Sequence, residues 1–225
     1  MILVTGGSSG IGKAIAESLT QQDHEVFTIS RRENQGDKRH IPCDITNHES
    51  LKQAYYYLSN EGHRISALIN CAGIASMNLA ITTPFSITEK VIRTNLIGTI
   101  FANQIFAPLI IKNKGGRIIN FSTIAVHIGL EGESVYVASK AGVEGFSRVF
   151  AKELAPFNIT VNCIAPGPIK TNLLKGITND QINKIVGNQI IRNTMDVSAV
   201  TEIVELLLRD ESRNITGEVI NVGGV

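Results

Sequence analysis

A tyrosine and a lysine one helical turn apart, Tyr136 and Lys140, lie in the segment SVYVASKAGVEGF (Ser134–Phe146), which is otherwise mostly small and apolar. A spacing of four puts both side chains on one face of a helix, so the ammonium lies near the phenol oxygen or near whatever binds between them. A free tyrosine, with a pKa of about 10, moves protons poorly at neutral pH. A neighbouring cation favours the phenolate and turns the pair into a device for general acid–base work. Taken alone, the pattern also describes a core tyrosine beside a lysine whose stem lies along apolar surface. Its chemistry depends on what the rest of the chain assembles around it.

A second stretch suits a ligand rather than a reaction. In VTGGSSGIG (Val4–Gly12), Gly6, Gly10 and Gly12 permit tight turning and close backbone approach, and a helix beginning at Gly10 offers free N–H groups to a pyrophosphate. Ser8, Ser9 and Ile11 belong to the same cradle. The spacing differs from G-x-G-x-x-G, and a glycine-rich turn with no ligand is the competing reading. Cofactor choice is read about one strand later, where a carboxylate would hold a ribose hydroxyl and a basic group a 2′-phosphate. Here TISRRE places Ser30, Arg31 and Arg32 at the strand tip ahead of Glu33, which favours NADP(H) over NAD(H) because the guanidinium fork suits phosphate. An ordinary solvated basic turn is the alternative.

The elements that must position these groups follow from the hydrophobic pattern. Short apolar runs, Ile2–Thr5, Val26–Ser30, His40–Cys43, Ala67–Asn70, Arg117–Phe121, Thr160–Ile164 and Val219–Val222, alternate with helical stretches at Gly10–Gln21, Glu49–Asn60, Ser86–Lys112, Tyr136–Leu154 and Ser198–Arg209. This predicts an α/β doubly wound, Rossmann-type sheet of seven mainly parallel strands with helices on both faces. No linker-like tract divides the chain, so residues 1–225 read as one domain. Leu173, Leu174, Ile177, Ile182, Ile185 and Val186 make residues 172–195 a candidate lid or additional core.

Twenty-one Lys and Arg against twenty Asp and Glu leave a formal charge of +1, which gives no signal for nucleic acid or an acidic membrane surface. Cys43, Cys71 and Cys163 are scattered through apolar runs with no C-x-x-C pair, and the five histidines do not cluster, so no metal site is expected. His24, His40, His48 and His63 read as surface or turn residues, and His127 as a loop residue with a possible view of the pocket. A reduced, cytoplasmic protein without a secretion signal is expected, and no apolar run reaches the ~20 residues of a membrane span.

Four motifs occur in order: T-G-x-x-x-G-x-G at Thr5–Gly12, NCAG at Asn70–Gly73, Y-x-x-x-K at Tyr136–Lys140 and PGPIKT at Pro166–Thr171. Together the chain resembles the short-chain dehydrogenases/reductases over nearly its whole length. GGRIINFST, ELAPFNITVNCIAPG and ITGEVINVGG are especially similar to the branch containing 3-oxoacyl carrier-protein reductases. The resemblance implies a dimeric or tetrameric oxidoreductase that moves a hydride between a nicotinamide and a small carbonyl or alcohol, free or as a carrier-bound acyl group. It implies that Asp44, with Ile45, meets the adenine and that Asn70, Ala72 and Gly73 wall it. Pro166, Gly167, Ile169 and Thr171 would border the nicotinamide, and Lys140 would bond its ribose. Asn95 in RTNLIGT matches the catalytic asparagine. The catalytic serine is replaced: thirteen positions before Tyr136 stands Thr123, which keeps the hydroxyl, with Ser122 just ahead of it as the rival. Strand-end neighbours point to opposite faces, which favours Thr123. A non-catalytic dinucleotide-binding regulator on the same fold is the alternative function.

Overall fold

Alternate residues of each inner strand enter different cores, which is why these strands read as continuous apolar runs. Leu3, Phe27, Leu68, Ile118 and Val161 face one side, while Ile2, Val4, Val26, Ile69, Ile119 and Ile164 face the other. A computed structural model describes residues 1–32, 36–169 and 179–225, with the backbone alone for residues 179–181. Its strands are β1 (Ile2–Thr5), β2 (Val26–Ser30), β3 (His40–Pro42), β4 (Ala67–Asn70), β5 (Gly116–Phe121), β6 (Ile159–Pro166) and β7 (Val219–Val222). They form one parallel sheet in the order β3-β2-β1-β4-β5-β6-β7. This is the expected doubly wound, Rossmann-like architecture.

The helices are α1 (Gly10–Gln21), α2 (His48–Asn60), α3 (Phe85–Ile92), α4 (Gly98–Lys112), the short α5 (Ala125–Ile128), α6 (Ser134–Leu154), α7 (Asn179–Gly187) and α8 (Ser198–Leu208). Apolar stripes on α2, α4 and α6, such as Leu51, Leu58, Phe106, Ile110, Phe150 and Leu154, cover the first face. Ile15 and Leu19 of α1 and Val200, Val204 and Leu207 of α8 cover the second. Register aligns Thr5 with Asn70 and Asn70 with Asn120, so the carboxyl ends of the central strands open along one edge. Strand order reverses between β1 and β4, where such sheets leave a crevice for a ligand.

The stretch from Phe85 to Lys112 is one continuous 28-residue helical run, long and apolar enough by length and composition to cross a membrane, although polar residues such as Glu89, Lys90, Arg93 and Asn95 interrupt it. Half of its most apolar window is buried against the sheet and neighbouring helices, as in a core helix. Arg93–Ile97 within it is a π-helical turn between α3 and α4. His40 is not a surface residue: it is 9% exposed in β3, because pairing of β2 with β3 folds it beneath the β2 tip. In the candidate lid, Ile185 of α7 is buried and Ile169 bridges to Met195, whereas Ile190 and Ile191 are exposed. Leu173, Leu174 and Ile177 lie outside the described residues.

Candidate active site

The glycine loop turns directly out of β1 into α1. Gly6 has φ +71°, and a Cβ there would come within 2.8 Å of the Ala72 backbone. A Cβ on Gly12 would sit 2.6 Å from the Gly6 carbonyl oxygen. Gly10, with φ +56°, has nothing within 4 Å of the same position, so its backbone faces open space. Ser9 stands at the N-cap without a side-chain capping bond, and the first turn of α1 carries no acid. The helix start therefore keeps free donors and an uncompensated positive dipole end, which is the chemistry an anion needs.

From this loop a cavity of about 430 Å³ runs along the carboxyl edge of the sheet. Gly6, Ser8, Ser9, Gly10, Ile11 and Gly12 line one end, and Ser30, Arg31, Arg32, Asp44 and Ile45 line its flank. Ala72 and Gly73 border the middle, and Pro166, Gly167 and Ile169 border the far side with Thr123, Tyr136 and Lys140. Asn70 is 3% exposed behind this wall, its Nδ2 donating to Asn120 Oδ1 at 2.8 Å. Thr171 lies outside the described residues. The open Gly10 face, the free helix start and the two arginines fit a dinucleotide along this edge.

His40 is a buried brace beneath the cavity flank that the sequence reading missed. Its Nε2 is 2.7 Å from the Arg32 carbonyl oxygen and its Nδ1 is 2.7 Å from Thr28 Oγ1, while Ser30 Oγ also donates to the Arg32 carbonyl at 3.2 Å. The basic turn is thus held from beneath, with both arginines exposed above it. Asp44 Oδ1 is engaged locally, accepting from the N–H and hydroxyl of Thr46, each at 2.8 Å.

At the reactive end the side chains converge. The Thr123 hydroxyl lies beside the Tyr136 phenol on the cavity wall, where it favours the ionised phenol. Ser122 also borders the cavity, but its hydroxyl is engaged, donating to Glu144 Oε1 on α6 at 2.5 Å. That carboxylate is also 3.7 Å from His127 Nε2, which is exposed and off the cavity wall. Burial, reinforced by the nearby Glu133 carboxyl, holds the Tyr136 pKa well above its ordinary value. Lys140 donates through Nζ to the Phe121 carbonyl oxygen at 2.8 Å, and burial pushes its pKa down to about 8. Both shifts have the sign expected of charge withdrawn from water.

Asn95 sits one layer behind the cavity, fully buried on the π-helical turn. Its Oδ1 accepts from the Ile74 N–H at 2.8 Å, and its Nδ2 donates to the Ile74 carbonyl at 2.9 Å and to Ser139 Oγ at 3.1 Å. It clamps the strand-end segment that carries Gly73 and ties it to α6. Cys43, Cys71 and Cys163 are all free thiols, and the described residues include no group of acids, histidines or cysteines able to hold a metal.

Comparison with known proteins agrees with this geometry. A family model described as "Enoyl-(Acyl carrier protein) reductase" matches residues 6–224. Carbonyl reductase family member 4 of Xenopus tropicalis is 35% identical over 98% of this chain and 95% of its own. The human 3-oxoacyl-[acyl-carrier-protein] reductase is 32% identical over the same shares. Among solved structures, ligand-free Thermoplasma acidophilum aldohexose dehydrogenase matches with a TM-score of 0.88 at 29% identity, covering 99% of this chain and 92% of that one. A 4-hydroxyisoleucine dehydrogenase complexed with NADH and succinate matches at 0.89 and 25% identity, covering 100% and 98%.

Proposed function

The chain belongs to the short-chain dehydrogenase/reductase family, and from that premise we propose that it is an NADP(H)-dependent oxidoreductase that reduces a ketone, or oxidises the matching secondary alcohol, with Tyr136 as general acid or base. The observation that carries this reading is that Thr123, Tyr136 and Lys140 share a cavity whose other end is the open glycine loop. A bound nicotinamide would supply or accept the hydride. Gly10 to Gly12 would seat its pyrophosphate, and Arg31 and Arg32, raised on the His40 brace, would take a 2′-phosphate.

The chain's own residues then handle the proton and the charge. As negative charge grows on the substrate oxygen, the hydroxyls of Thr123 and Tyr136, both on the cavity wall, would donate to it. With its pKa raised, Tyr136 rests protonated and is ready to act as the acid. Lys140, cationic below about pH 8, stabilises the phenolate left behind. Asn95 acts through the Gly73–Ile74 segment as a positioning residue. The engagement of Ser122 with Glu144 favours Thr123 as the polarising hydroxyl. The substrate is a small carbonyl compound, with delivery on an acyl carrier the variant suggested by the carrier-protein relative, and the working form is a homo-oligomer in the cytoplasm.

The test is NADPH oxidation against a panel of ketones. Tyr136→Phe should keep dinucleotide binding and lose turnover by about 100-fold or more, the scale of a general acid. Thr123→Val should also slow turnover, and Ser122→Ala should do so far less. Undiminished turnover in Tyr136→Phe would overturn the assignment, and firm cofactor binding with no turnover of any ketone or alcohol would favour a regulator.

A further inference from the structure

Resting on the reading of Tyr136 as the acid or base, we infer that Glu133 is a specificity residue whose carboxylate accepts a hydrogen bond from a second hydroxyl, close to the reacting carbon of a neutral substrate. Glu133 is the N-cap of α6, three residues before Tyr136 and seven before Lys140, and all three line the same cavity. The Glu133 side chain is 8% exposed, yet its Oε2 is buried without any hydrogen-bond partner and the side chain makes no capping bond to its own helix. Burial alone raises its pKa, with no cation offsetting it.

A buried carboxylate oxygen without a donor is rare in folded proteins, because nothing replaces the water it has lost. Oε2 is closed off as the side chain stands, and a turn of the carboxyl group towards the cavity that Glu133 lines lets a substrate group supply the missing donor. The neighbours decide which donor. An ammonium would have to enter a pocket already holding Lys140, and a carboxylate would be repelled by Glu133 itself, which leaves a hydroxyl. One helical turn separates Glu133 from Tyr136, about 5–6 Å between Cβ atoms, so the two substrate oxygens must be near neighbours on the carbon skeleton. A vicinal diol or the matching hydroxy ketone meets this condition. A 3-oxoacyl thioester, which beyond its ketone offers acceptors at this distance, leaves Oε2 unpaired.

The test measures calorimetric binding of butane-2,3-diol and butan-2-ol to the NADP⁺-loaded protein, in the wild type, Glu133→Leu and the near-isosteric Glu133→Gln. The diol should bind the wild type at least about tenfold more tightly, the scale of one hydrogen bond to a charged group. That ratio should collapse towards one in Glu133→Leu and fall part of the way in Glu133→Gln, which keeps an acceptor oxygen without the charge. Equal wild-type affinities, or a ratio unchanged in both variants, would overturn the inference. Turnover of the same two alcohols by the wild type and by Tyr136→Phe tests the oxidoreductase reading separately, since diol preference is read from binding alone.

Discussion

Lys140 and Tyr136 have been moved in opposite directions by the same enclosure, and this has consequences for pH. Lys140 holds its proton up to about pH 8, against an ordinary value of 10.5. Ketone reduction needs Tyr136 protonated and Lys140 charged, so kcat/KM for reduction should fall as pH rises through about 8. A steady-state profile flat from pH 7 to 9.5 would contradict this assignment of charge. Stability carries the opposite sign. A lysine whose folded pKa lies below its unfolded value penalises the fold fully below the folded pKa, and the penalty is relieved as pH rises towards the unfolded one. Denaturant unfolding of the cofactor-free protein at pH 7.5 and 9.5 should show the wild type gaining roughly 2 kcal/mol more than Lys140→Met over that interval. Tyr136, raised rather than lowered, withdraws stability only above about pH 10. Both residues were legible in the sequence because helical spacing alone puts them on one face. Thr123 could be separated from Ser122 because strand neighbours alternate. Glu133 and His40 were not legible: the first looks like any acid in a loop, and the second acquires its role only when β2 pairs with β3.

At the scale of elements, strand positions came through closely because a strand buried on both faces is an unbroken apolar run. Helical period could place Ser86–Lys112 but could not show the π-helical turn at Arg93–Ile97 inside it. A π turn has no pattern of its own, and here it coincides with Asn95, the side chain that clamps Ile74 beyond the neighbouring strand end. Such turns gather at functional sites because the widened ring frees groups for other partners. The Thr99 hydroxyl donates to the Asn95 carbonyl oxygen at 2.7 Å, capping the backbone group the turn disturbs. The Asn95 side chain replaces backbone pairing for Ile74 on both sides. Asn95→Ala should therefore remove three hydrogen bonds and leave the Ile74 backbone unpaired in a half-buried position. Denaturant unfolding should show a loss of about 2–4 kcal/mol, with weaker cofactor binding through a loosened Gly73 wall. A loss under about 0.5 kcal/mol would mean that water or a neighbour replaces the clamp.

Across the whole molecule, the cavity joins parts of the chain that are far apart in sequence: the β1–α1 loop, the β2 tip, the segment after β4 and the ends of β5 and β6. Helices α1 and α8 contact each other on one face, while α2, α4 and α6 contribute to the other core. A ligand lying along the shared edge ties these groups together and binds only the folded form, so its affinity reads out directly as stability. At a free concentration near 100 times its dissociation constant, NADP⁺ should add about 2.7 kcal/mol. For a chain of 225 residues that is a melting-temperature rise of roughly 5–10 °C. At equal concentration NAD⁺ should raise it less, because Arg31 and Arg32 gain a phosphate partner only from NADP⁺ and each charge-assisted bond contributes about 1.5–3 kcal/mol. Replacing both with serine should bring the two shifts together by lowering the NADP⁺ response and leaving that of NAD⁺ nearly unchanged. Equal shifts in the wild type, or a double variant that loses both responses alike, would mean that the basic turn does not choose the cofactor and that its His40 brace merely stabilises the edge of the sheet.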